Sequence, residues 1–179
     1  MPSTYSTNLK LELIATGEQS GTWGSTTNTN LGTLLEEAIC GVGTVTMADA
    51  DTTITISNGA SSTARKIILT LTGSLTAARN LIVPSINKTY IVYNNTSGGY
   101  AVTVKTSSGT GISVPNGQKR MVYGDGTNIN EAINSFGNVT VNGTLTYGGT
   151  TIPSSTTGTG SLVLSTSPSL TTPNLGTPS

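Results

Sequence analysis

Between residues 42 and 133 the chain sustains no helical period; it runs in short apolar-alternating stretches cut by turn residues about every ten positions. A chain punctuated this way has to build its core from many short strands. Residues 53–57 alternate and end at Asn58-Gly59, a hairpin-type turn. Residues 66–71 lead to Gly73, and 81–83 stop at Pro84. Residues 89–93 and 100–105 flank 94–99, which reads as a six-residue hairpin loop. Residues 112–114 run into Pro115-Asn116-Gly117, and 119–123 into Asp125-Gly126. The expected fold is mainly β, with a compact antiparallel β-sandwich or barrel-like domain over 42–133. Its expected core is Ile54, Ile56, Ile67, Leu69, Leu71, Leu81, Val83, Ile91, Tyr93, Val102, Val104, Val114, Met121 and Tyr123.

Residues 18–41, EQSGTWGSTTNTNLGTLLEEAICG, change habit. Leu31, Leu34, Leu35, Ala38 and Ile39 recur at i, i+3, i+4, i+7 and i+8, which predicts an amphipathic helix over about 28–40. The Thr and Asn residues before it offer side-chain caps, and Gly41 offers a left-handed stop. Trp23, the only tryptophan, stands between Gly21 and Gly24, placed to fold back on the helix or to enter a partner. A helix this short is marginal alone and has to dock. Upstream, Leu9, Leu11 and Leu13 alternate with polar residues as in a strand with one buried face. Cys40 is the sole cysteine; no disulfide forms within a chain, and a small buried hydrophobe is the expectation there.

The opening YSTNLKLELIATGEQSGTWGSTTNTNLGTLLEEAI resembles the N-terminal region of bacteriophage tail fibre proteins. The closing TTGTGSLVLSTSPSLTTPNLGTPS is similar to a low-complexity segment of long phage fibres. Together they touch about a third of the chain, and TGEQSGTWG…N.NL is the more specific part. The resemblance implies a virion structural protein, the proximal part of a fibre that attaches to the tail and supports host adsorption. It implies an N-terminal tail-anchoring segment over 1–41, with Trp23, Leu31, Leu34, Leu35 and Ile39 as the anchor. The partners implied are the tail tube, a hub or an adaptor protein, with a host surface glycan or receptor met by distal parts.

Composition agrees with that class. Only 9% of residues are charged, against about a quarter in ordinary soluble domains. Net charge is +0, which gives no electrostatic footing for nucleic acid or an anionic membrane. The surface has to be solvated by Ser, Thr, Asn and Gly, as on a virion exterior. Residues 1–10 lack a basic region followed by an apolar run, and no stretch is apolar over the roughly 20 residues a spanning helix needs, so neither a leader nor membrane insertion is expected.

After residue 133 the pattern thins. Val139, Val141, Leu145 and Tyr147 place one side chain in two on a common face, too few to close a core alone. Three chains sharing an axis would supply the rest, so 134–152 is expected to begin a trimeric β-shaft and the chain to form a homotrimer. Residues 153–179, rich in Ser, Thr, Gly and Pro, read as an extended linker, with a longer protein expected to continue beyond Ser179.

Catalytic chemistry is not expected. With no histidine the commonest general base and metal ligand is missing. Asp49 and Asp51 form a D-x-D pair without further acids at calcium-loop spacing, which predicts a polar turn rather than a cation site, and Asp125 sits in a Gly-Asp-Gly turn. No cofactor motif occurs. Tyr90, Tyr93 and Tyr100 cluster near one loop, where cross-strand packing is favoured over sugar stacking. The rival readings are a carbohydrate-binding module or the N-terminal part of a depolymerising tailspike, and a short head or neck fibre.

Overall fold

A computed structural model describes residues 3–135, 137, 139, 141–147 and 150–152. The chain divides into two compact units, Met1–Ser135 and Phe136–Ser179, so the expected division at 41/42 falls inside the first unit.

The first unit opens with β1 (Thr4–Tyr5) and β2 (Glu12–Leu13), paired antiparallel. The expected continuous strand through Leu9, Leu11 and Leu13 does not form. Lys10 turns at φ 55°, its N–H meets Ser6 O at 3.1 Å, and Leu13 ends up half exposed. A helical run then covers α1 (Trp23–Thr29), a π-helical segment (Asn30–Leu35) and α2 (Glu36–Cys40). It begins about five residues before the expected start. The Thr and Asn residues are therefore helix interior, and Thr22, at the cap position, makes no side-chain capping bond. A backbone carbonyl takes that role at the first helical residue: Gln19 O accepts from Trp23 N at 2.9 Å. Gly41 ends the run in an extended conformation (φ −65°, ψ 134°), not a left-handed one. Glycine is needed for space, because a Cβ there would lie 2.4 Å from Glu37 O.

From Gly41 the chain winds between two sheets. β3 (Val42–Thr46), β5 (Ile68–Thr72), β7 (Asn87–Asn94), β10 (Lys119–Asp125) and β11 (Ile129–Glu131) form the larger, in the order β11-β10-β7-β5-β3. β4 (Thr52–Thr53), β6 (Arg79–Ile82), β8 (Val102–Lys105) and β9 (Gly111–Val114) form the smaller, in that order. Successive strands from β3 to β8 alternate sheets, so each return is parallel to the strand before it: Val42 pairs with Ile68 and Ile68 with Ile91, while Thr52 pairs with Leu81 and Leu81 with Val104. A parallel pair needs a crossover, and here the crossover is a strand of the opposite sheet. The antiparallel expectation is thus corrected: within these two sheets antiparallel pairing is confined to β7–β10, β8–β9 and β10–β11.

Two expected hairpins are likewise corners. Asn58-Gly59 leads to a 3-10 turn (Thr63–Arg65) and on to β5, and 94–99 carries the chain from β7 to β8 in the other sheet. The corners stack on one another: Ser97 N donates to Gly73 O at 2.8 Å and Leu75 N to Ser97 O at 3.0 Å. Gly73 sits at φ 113°, and a Cβ there would lie 2.3 Å from Met47 O.

Both sheets feed one core: Val45, Leu69, Leu71, Tyr90, Val92, Val122 and Ile129 from the larger, and Leu81, Val102, Val104 and Val114 from the smaller, with Met47, Leu75 and Val83 at corners. Seven of the expected core residues are there, while Ile54, Ile56 and Ile67 are half-buried. On β7 and β10 the expected face is the wrong one. Tyr90, Val92 and Val122 point in; Ile91 and Tyr93 are half-buried, and Met121 and Tyr123 are exposed. Both faces of these strands are apolar, so alternation alone does not choose between them. Asn94 lies on the inward face with Tyr90 and Val92, fully buried at the end of β7, and its Nδ2 donates to Val114 O at 2.9 Å and Tyr100 O at 3.0 Å.

In the second unit β12 (Leu145–Tyr147) pairs antiparallel with β13 (Thr150–Ile152). The linker expected over 153–179 lies outside the described residues.

Candidate docking surface

The residues of the TGEQSGTWG…N.NL stretch form a hydrogen-bonded clamp. Asn30 lies one helical span beyond Gln19, and both reach Glu12. Glu12 N donates to Asn30 Oδ1 at 3.1 Å, and Asn30 Nδ2 donates to Glu12 O at 2.8 Å. Gln19 Nε2 donates to Glu12 Oε1 at 2.6 Å, and Gln19 Oε1 accepts from Thr26 Oγ1. Glu18 Oε2 accepts from Ser3 Oγ and from Ala15 N. Gly17 and Gly21, at φ 83° and 81°, give the turns that bring these groups together. The polar half of the motif is spent on fixing the helix start.

The C-terminal half is fixed by Arg65. Its guanidinium is fully buried, which is costly unless every donor is met. Nε donates to Leu9 O at 2.9 Å, Nη2 to Ser57 O at 2.7 Å, and Nη1 to Ala60 O and to Glu37 Oε2, the last at 3.3 Å. One side chain thus joins the N-terminal segment, the helix and the β core. Burial pushes the Glu37 carboxyl up, but hydrogen bonds from Ser61, Ser62 N and Arg65 outweigh it and hold the group below its ordinary range. Tyr90 Oη donates to Ala64 O at 3.2 Å, and burial raises its pKa.

On this clamped run Trp23, Leu31 and Ile39 are 62%, 58% and 61% exposed, while Leu34 is wholly buried and Leu35 is half-buried. Of the five expected anchor residues, three are open to a partner, and Leu34 is spent on the chain's own interior. Cys40 is exposed, not buried as expected; it sits with Gly32, Glu36, Gly41, Val42 and Lys66 along a groove of about 310 Å³. The missed signal is the π-helical segment, because periodicity at 3.6 residues assumes an unbroken α-helix.

A second apolar strip crosses the outer face of the larger sheet. Val42, Ile68, Ile91 and Met121 are cross-strand partners in one row, with Val42 59% and Met121 40% exposed. Beside it Lys119 Nζ lies 4.9 Å from the Tyr93 ring centre. The tyrosine cluster is divided: Tyr90 points into the core and Tyr93 away from it. Of the expected shaft residues, Val139, Val141 and Leu145 are exposed in the second unit, and Tyr147 pairs with Thr150.

The acids of the D-x-D pair tie successive turns of the winding. Asp49 accepts from Thr76 N and Oγ1 and from Arg79, and Asp51 accepts from Asn80 N and Nδ2 at 2.8 Å each. The Thr76 hydrogen bonds, helped by Arg79, pull the Asp49 carboxyl down to about 2, and the Asn80 bonds lower Asp51. Asp125 caps its own turn through Asn128 N and Thr127 N, which lowers its pKa. Among the described residues no group of three His, Cys, Asp or Glu could hold a metal, and no helix is long and apolar enough to cross a membrane. No protein-family model, curated protein or solved structure matches the chain.

Proposed function

We propose that the chain is the proximal part of a phage tail fibre, a virion structural protein that attaches the fibre to the tail and supports host adsorption without catalysing a reaction. The observation that carries this reading is the exposure of Trp23, Leu31 and Ile39 on a helix held at both ends. A large ring left in water on a rigid support is the arrangement of an interface anchor, since such residues dominate binding energy once buried. The fibre-like motif contributes both parts, with Glu12 outside its core: Gln19 and Asn30 clamp, and Trp23 and Leu31 face outward. The tail component receiving this face is a tube, hub or adaptor protein, and the chain acts as a homotrimer through Val139, Val141, Leu145 and Tyr147.

A photo-crosslinking amino acid in place of Leu31, in particles assembled with that variant, tests the reading. The expected product joins the chain to a second tail protein. Irradiated particles that yield no such product, although the chain is incorporated, contradict it.

A further inference from the structure

We infer that the π-helical segment Asn30–Leu35 is a register lock that turns Trp23 outward and brings it into line with Leu31 and Ile39. In an unbroken α-helix of about 100° per residue, Trp23 would point within about 20° of Leu34, and Trp23, Leu31 and Ile39 would spread over about 160°. Leu34 is fully buried, so that register would direct Trp23 to the side of the helix that Leu34 buries. A π segment closes i to i+5 instead of i to i+4, so each of its steps turns only about 80°. The four steps from Asn30 to Leu34 carry Trp23 past the Leu34 direction to about 60° on its far side, and with the fifth, to Leu35, the three side chains gather within an arc of about 60°. Their near-equal exposures, 62%, 58% and 61%, follow from sharing that arc.

The lock exists because the two halves are fixed independently. Upstream, Asn30 is bound to Glu12, and Gln19 bridges Thr26 to the same Glu12. Downstream, Leu34 is buried and Glu37 is bound to Arg65. The spacing between the clamps exceeds an α-helical count by one residue, and the wide turn absorbs it. Gly32 lies inside that turn, where a Cβ would meet nothing within 4 Å, so the surplus residue has open space around it.

Trp23 is the only tryptophan, so its emission wavelength and its quenching by acrylamide read the register directly. Deleting Gly32 removes the surplus residue and lets the run close as α-helix with both halves in phase; emission, quenching and folding are expected to stay as in the wild type. The double substitution Gln19→Ala/Asn30→Ala in the full-length helix frees the upstream half; quenching is expected to fall and emission to shift to the blue as Trp23 turns to the Leu34 side. Adding the Gly32 deletion to that variant is expected to restore exposure. The inference is overturned if the Gly32 deletion unfolds the protein or hides Trp23, or if unclamping leaves quenching unchanged or raises it. The use of the lock rests on the docking reading above, and the two fail separately. Wild-type attachment by Trp23→Ala protein removes the docking reading but leaves the fluorescence result standing.

Discussion

Arg65 is the residue on which the first unit turns. It is fully buried and bonded to Leu9 O, Ser57 O, Ala60 O and Glu37. Arg65→Ala takes the guanidinium donors from three carbonyls and one of three donors from the Glu37 carboxylate, and a loss of about 3–5 kcal/mol is expected in urea unfolding. Removing residues 1–41 strips Leu9 and Glu37 from the same guanidinium, so the truncated domain is expected to unfold at lower urea than the intact chain. Two titrations have opposite signs. Asp49 is held at about 2, below its ordinary value near 3.8, so its contribution is full above pH 4 and is lost as pH falls toward 2. Asp49→Asn should flatten that acid loss. Lys88 is pulled down to about 8 by burial and by Arg65, so its charge opposes folding below pH 8 and the penalty fades as pH rises toward 10. Lys88→Met is expected to raise the urea midpoint at pH 7 and to lose that advantage above pH 10.

At the scale of the element, the faces of β10 give a sharp contrast. Val122 is fully buried and Met121 is 40% exposed, although the expected core residue of the two is Met121. Val122→Asp places an unpaired charge in the core and should abolish folding, while Met121→Asp should leave circular dichroism unchanged. Gly73→Ala forces a Cβ to 2.3 Å from Met47 O at φ 113° and is expected to cost on the order of 1–3 kcal/mol in thermal unfolding. The places of most strands were legible because Gly73, Pro84, Asn116-Gly117 and Asp125-Gly126 punctuate them. Their partners were not, because a turn residue reports that the chain bends and not which sheet it enters next. The faces of β7 were hidden by Ile91 and Tyr93, as apolar as Tyr90 and Val92. Trp23, Leu31 and Ile39 were legible as notable residues, while their alignment was not. It depends on a one-residue surplus between two clamps whose anchors, Glu12 and Arg65, lie outside the helix.

For the whole molecule, a winding β unit carries a clamped helix on which a large aromatic faces water, and a second unit leaves Val139, Val141 and Leu145 exposed. Trimerisation is expected to cover the latter, and light scattering on the full chain should give about three times 18.2 kDa; a monomer at micromolar concentration contradicts it. The central claim is that the helix face attaches the chain to the tail, and the most direct measurement is the amount of Trp23→Ala protein in purified particles. Losing a buried tryptophan anchor costs on the order of 2–4 kcal/mol, so incorporation is expected to fall at least about tenfold while the free protein keeps its fold. Particles that carry the folded variant at the wild-type level contradict the account.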